Sequence, residues 1–263
     1  MAEIVEAMDR NQLVVHYQPV VECTDRRVIG AEALVRWDNP VLGRLEPDEF
    51  LPLFDQGDIK LAISQWVIER SISFVNQVNR AGLSIAVSIN IFPEQSYDRE
   101  FFYMLRRYLE RVSQKQRPQL QIEIPEQVVV SNFEQIERFV NDCLEMGVEC
   151  VLDDFDAGDI SMQQLARLPV RYVKVNRRLT QKILFDEKEY ELIKGILSVA
   201  DGFGKEIIFE GVEDMQQFLK LRDLGATLMQ GYLFSEAIPE AMFETWAKSF
   251  SDSSEWAERF TPI

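Results

Sequence analysis

Histidine is nearly missing from this chain of 263 residues, and His16 is the one example. Serine–histidine triads, histidine-rich zinc sites and histidine general bases are therefore disfavoured, leaving carboxylates, amides and lysines to carry any chemistry. Cysteine is scarce as well. Cys23, Cys143 and Cys150 form no C-x-x-C pair and are odd in number, so small buried thiols in a reducing compartment are expected rather than a disulfide framework. Positive charge is short: 28 Lys and Arg stand against 44 Asp and Glu, a formal net charge of −16. That excess repels a phosphate backbone and an anionic membrane surface, so neither a nucleic-acid polymer nor a membrane is an expected partner. No apolar run approaches the ~20 residues of a spanning helix. The first ten residues lack the basic start and apolar stretch of a secretory signal, and a cytoplasmic location is expected.

No Pro-, Gly- or Ser-rich linker divides the chain, so residues 1–250 are expected to form one domain followed by an acidic tail over 251–263. Short runs rich in Val, Ile and Leu predict strands at 13–22, 28–37, 84–91, 120–124, 150–154, 172–175, 207–210 and 228–234. They are mostly apolar on both faces, as buried barrel strands are. Amphipathic stretches at 59–81, 99–112, 133–146, 187–203 and 215–224 predict helices, with Gly82, Gly147, Gly204 and Gly225 at C-cap positions. Eight strands with interleaved helices predict an α/β fold, the (β/α)8 barrel. The link over 24–27 is too short for a helical crossover. The first strand should therefore be antiparallel to the second, making the TIM-like barrel irregular at its start.

The polar residues that interrupt these apolar strands carry the functional signal. Glu32, Asn90, Glu123, Asp153 with Asp154, Lys174, Glu210 and Gln230 fall in or at the ends of strands, about one per βα unit. They would gather at the carboxyl-terminal rim, where barrels assemble their chemistry. One charged residue at a strand end is usually solvated or ion-paired, and it is the repetition over successive units that argues for a site. Converging carboxylates disfavour each other's ionisation unless a cation lies between them. Oxygen ligands without Cys or His select Mg²⁺ or Mn²⁺ over zinc. Asp153 and Asp154 would point oppositely on a regular strand, so both can serve one two-metal centre only if the chain turns there. Glu32, Leu34 and Arg36 share a strand face, which sets a phosphate-binding guanidinium beside a metal ligand. His16, Cys143, Cys150 and the aromatic run 101–103 are expected to pack, and Arg106, Arg107 and Arg111 to form a solvated helix face.

The tracts YQP (17–19), EALVR (32–36), SIN (88–90), EIPE (123–126), DDF (153–155), KVN (174–176), EGVE (210–213) and QGY (230–232) together resemble the EAL-domain cyclic-di-GMP phosphodiesterases. The resemblance holds in order and spacing over roughly residues 10–247. It implies hydrolysis of cyclic di-GMP to linear 5′-pGpG with two Mg²⁺ or Mn²⁺ ions. Carried over by position, it implies Glu32, Asn90, Glu123 and Asp153 at the first metal, with Asp153 bridging to a second that Asp154 also binds. It further implies that Lys174 positions the attacking water, that Glu210 acts as general base or orients that water, and that Gln18, Leu34, Arg36 and Gln230 contact substrate. Glu126 would steady the loop after the Asp pair. A homodimer, a protein partner or a sensory domain would suit such a module.

This sequence departs from the pattern in several places. The family loop DDFGTGYSSL is DDFDAGDISM here, and the Ile160 side chain cannot make the hydrogen bond to Glu126 that a serine makes. Asn176 stands where Asp is usual, two residues after Lys174, which on a regular strand is the side facing the proposed metals. Phe92 replaces a Ser, and Glu236 and Ala237 replace residues that are often Arg and Pro. The complete carboxylate cluster favours an active phosphodiesterase. The altered loop and Asn176 favour the alternative, a receptor that binds cyclic di-GMP and hardly turns it over. An EAL-like interaction module comes last, having no need of the cluster.

Overall fold

A computed structural model describes residues 6–8, 10–54, 57–111, 119–156, 158–253 and 256. Its strands are β1 (Leu13–Glu22), β2 (Arg27–Asn39), β3 (Gly43–Leu45), β4 (Ala86–Asn90), β5 (Leu120–Pro125), β6 (Glu149–Phe155), β7 (Tyr172–Val175), β8 (Glu206–Phe209), β9 (Leu228–Met229) and β10 (Ile238–Pro239). From β2 the sheet runs through β4, β5, β6, β7 and β8 to β9, each strand parallel to the next. Strand β1 then closes it into an eight-strand barrel, lying antiparallel to both β2 and β9. The tight β1–β2 hairpin follows from the Glu22 carboxylate, which accepts from the backbone N–H groups of Thr24 at 3.2 Å and Asp25 at 3.0 Å.

The helices are α1 (Pro47–Phe50), α2 (Gly57–Arg80), α3 (Arg99–Leu109), α4 (Glu126–Ser131), α5 (Phe133–Glu145), α6 (Met162–Arg167), α7 (Arg177–Lys182), α8 (Glu187–Gly202), α9 (Met215–Asp223) and α10 (Glu240–Asp252). Gly82, Gly147, Gly204 and Gly225 follow four of them with positive φ, the left-handed geometry expected of C-caps. The reversed strand is held by aromatic packing. Tyr17 of β1 stacks on Phe74 of α2 with centroids 3.7 Å apart, and Phe243 of α10 meets Phe74 edge-on at 5.1 Å. Helix α10 continues to Asp252, into the stretch expected as a tail, and Trp256 packs 5.5 Å from the rings of Phe234 and Phe250. Residues 254–255 and 257–263 of that stretch lie outside the described residues. Among the described residues no helix is long and apolar enough to cross a membrane.

Three sequence expectations change. β3 and β10 extend the edges of β2 and β1, and runs of two or three residues containing Gly or Pro show no alternation to read. The aromatic run splits, with Phe101 buried and Tyr103 63% exposed, because three consecutive helical positions cannot share one face. The strand predicted at 228–234 stops at Met229. The cause is a close approach of two backbones. A Cβ on Gly231 would lie 2.1 Å from the Val212 carbonyl oxygen and 2.4 Å from its nitrogen. The Val212 N–H meanwhile donates to the Gln230 carbonyl at 3.1 Å. Gly231→Ala is therefore expected to destabilise the protein by about 1–3 kcal/mol in urea unfolding, through overpacking with no room to relax. A variant with an unchanged midpoint would show that these segments separate freely.

Candidate active site

Barrel register delivers most of the expected residues to one end. Glu32 of β2 is paired with Gln18 of β1, Asn90 with Glu123 across β4 and β5, and Pro125 with Asp153 across β5 and β6. The turn required at the Asp pair is present. Register between β6 and β7 breaks between Leu152 and Phe155, and Asp154 has φ 56°. This bulge brings carboxylate oxygens of Asp153, Asp154 and Glu210 within 4.8 Å of one another.

At the floor of the cluster lies the Lys174 ammonium, its side chain 2% exposed. It sits 2.7 Å from Glu210 Oε1, 2.8 Å from Glu32 Oε2, 2.9 Å from Glu123 Oε1 and 3.7 Å from Asp153 Oδ1. Burial alone would favour neutral lysine, but Asp153, Glu123, Glu210 and Glu32 hold it protonated, well above the usual lysine value. One cation cannot balance four carboxylates. Burial pushes Glu123 well above the usual carboxylate range, with Glu32 adding and Lys174 opposing. It also raises Asp153, and it pushes Glu210 up to about 8. Glu32 goes the other way despite burial, because Lys174, Gln230 and Asn90 all stabilise its anion. Glu123 Oε2, Asp153 Oδ1 and Gln230 Oε1 are buried without a hydrogen-bond partner in the protein. Orphaned acceptors in an excess of negative charge fit a divalent cation.

Amides organise the wall. Gln230 Nε2 donates to Glu32 Oε2 at 2.8 Å and to Gln18 Oε1 at 3.0 Å, and Asn90 Nδ2 donates to Glu32 Oε1 at 2.9 Å. Leu34 and Arg36 lie further along β2, where with Asn90 and Phe92 they line a groove of about 480 Å³. Arg36 pairs with Glu46, whose Oε1 is 2.9 Å from its Nε. Sequence reasoning missed Glu46, since nothing in its spacing separates it from other acids at a helix start.

Two expectations are corrected here. Glu126 does hold the loop despite Ile160, because its oxygens accept from backbone N–H groups, those of Asp156 at 3.0 Å and Ile160 at 2.9 Å. No side-chain hydroxyl is needed. Asn176 does not continue β7, which ends at Val175; instead it caps α7 through the Arg178 N–H. It still reaches the site, and its Nδ2 donates to Asp154 Oδ1 at 3.0 Å.

A cluster of this kind should bind Mg²⁺ or Mn²⁺ measurably without any substrate. At a hundredfold excess over Kd either ion is expected to stabilise the protein by about 2.7 kcal/mol, read as a rise in Tm. Asp153→Asn should lose most of that rise. If neither ion raises Tm, the orphaned oxygens do not form a cation site.

Comparison with known proteins agrees with this geometry. The EAL domain family matches residues 1–237. The cyclic di-GMP phosphodiesterase PdeR of Escherichia coli K12 is 29% identical over 245 residues, 93% of this chain and 37% of PdeR. NbdA of Pseudomonas aeruginosa, also a cyclic di-GMP phosphodiesterase, is 30% identical over 249 residues, 94% of this chain and 32% of NbdA. The chain thus spans about a third of the length of such relatives. Among solved structures, the PaMucR phosphodiesterase in complex with c-di-GMP superposes with a TM-score of 0.85 at 27% identity, covering 92% of this chain and 98% of that one. Barrel, motif order and family match converge, and the chain belongs to the EAL domain family.

Proposed function

We propose that this chain hydrolyses cyclic di-GMP to linear 5′-pGpG in the cytoplasm. The observation that carries the reading is the buried Lys174 ammonium surrounded by more carboxylates than it can neutralise, with acceptor atoms left unpartnered. Glu32, Asn90, Glu123 and Asp153 would hold one Mg²⁺ or Mn²⁺, and Asp153 with Asp154 a second. Such ions polarise a phosphoryl oxygen and offset the charge that builds in the transition state.

The residues divide the remaining work. Arg36 offers its guanidinium to a phosphate, while Leu34 and Phe92 give apolar walls for a base. Lys174 orients Glu210 through the 2.7 Å contact. Glu210 is placed to take the proton of the attacking water as that water adds to phosphorus and the P–O3′ bond breaks, and the proton then passes to the departing O3′. Gln230, itself held by Gln18, keeps Glu32 in place, and both amides would contact the substrate. Because several related proteins are two to three times as long as this chain, control would come from a sensory domain or protein partner, acting on a homodimer.

The purified protein should form linear product with Mn²⁺ or Mg²⁺ and none in excess EDTA, and Asp153→Ala should lower turnover by orders of magnitude. Undiminished hydrolysis in EDTA would sink the reading.

The receptor alternative is favoured by one contact. Where a carboxylate would add negative charge, the Asn176 amide donates to Asp154 and occupies one of its oxygens. Asn176→Asp sets two carboxylates against each other, so the metal-free protein should lose stability and its Tm should rise more steeply with Mn²⁺ than wild type. The metal concentration for half-maximal rate should also fall. If both metal dependences stay unchanged, position 176 does not shape the second metal's surroundings.

A further inference from the structure

We infer that Glu46 sets the ligand affinity of the groove by holding Arg36 in an ion pair that an incoming anion must displace. The inference rests on the reading of this groove as the cyclic di-GMP site. Arg36 is the guanidinium on the groove wall, and its side chain is 13% exposed. Two of its donors are already engaged within the protein, with Nη1 donating to the Val35 carbonyl at 2.8 Å and Nε pairing with Glu46 at 2.9 Å. A phosphodiester that seeks this fork meets a carboxylate already seated there.

Glu46 is well placed to act this way. It stands at the start of α1, where its backbone N–H donates to Glu49 Oε2 at 2.8 Å and Pro47 fixes the first turn. The backbone is thus held independently of Arg36, and the side chain, 54% exposed, borders solvent. Asp48 lines the same groove and adds a second negative charge to the surroundings of an incoming anion. An ion pair with one partner this exposed contributes little to folding. Its consequence falls on binding, where each anion entering must replace one charge-assisted hydrogen bond by another and oppose the Glu46 charge as well.

The test is equilibrium binding of cyclic di-GMP in EDTA, where turnover is suppressed, to wild type, Glu46→Gln, Arg36→Gln and the double variant. Glu46→Gln should bind about two- to tenfold tighter. Glu46→Ser, which keeps a good residue at the helix start, should do the same. In the Arg36→Gln background, Glu46→Gln should change nothing. Equal tightening in both backgrounds would mean repulsion at a distance, and the ion-pair account fails. It fails too if wild type binds and both Glu46 variants match it. Binding by the Glu46 variants alone would be its strongest support. Absence of binding in every variant, both in EDTA and with Mn²⁺ added, would remove the cyclic di-GMP reading itself.

Discussion

Everything at the mouth of this barrel is arranged around one buried ammonium. Lys174 touches carboxylates from β2, β5 and the end of β8, and lies close to a fourth on β6, so a single charge ties together strands far apart in sequence. Taking such groups out of water is costly, and attraction repays the cost only where partners are close and well hydrogen-bonded. Here the attraction is strong but lopsided. Burial, with the surplus of acid adding to it, raises the proton affinity of Glu123, Asp153 and Glu210. That imbalance links folding to the proposed function, because the arrangement that closes the barrel top also gathers the acids of the proposed cation site.

Three irregularities of the fold serve this end of it. A regular strand would aim Asp154 away from Asp153, and the bulge that gives it φ 56° brings it back. A regular β9 would continue past Gln230, whereas the approach of Val212 to Gly231 ends it where the Gln230 amide can reach Glu32. The reversed β1 places Gln18 opposite Glu32, where it accepts from Gln230. Departures from ideal geometry gather where side chains must be aimed.

Most of this was legible in the sequence, for identifiable reasons. Buried strands leave continuous apolar runs, so a polar residue within one stands out, and Glu32, Glu123, Asp153, Lys174 and Glu210 all did. The hairpin length alone required an antiparallel β1. What stayed hidden depends on backbone atoms or on distant partners. β3 and β10 are too short to show a period. The stop at Met229 is set by a segment near residue 212, which no local pattern announces. Glu46 lies ten residues beyond Arg36, and only the fold of the β2–β3 hairpin and α1 brings its carboxylate alongside.

The loop after the Asp pair shows how such blindness misleads in the other direction. Judged by side chains, Ile160 leaves Glu126 without a partner and the loop without support. In the structure Glu126 reads two backbone N–H groups, which every residue but proline supplies, so the loop tolerates changes of sequence that would otherwise release it. Asn176 is the opposite case. Its amide is in direct contact with an Asp154 oxygen, and no backbone group can substitute for the missing charge. Of the two departures, the larger in sequence is therefore the smaller in physics. On the proposed reading, the balance between turnover and mere binding turns on one neutral side chain beside Asp154 rather than on the rewritten loop.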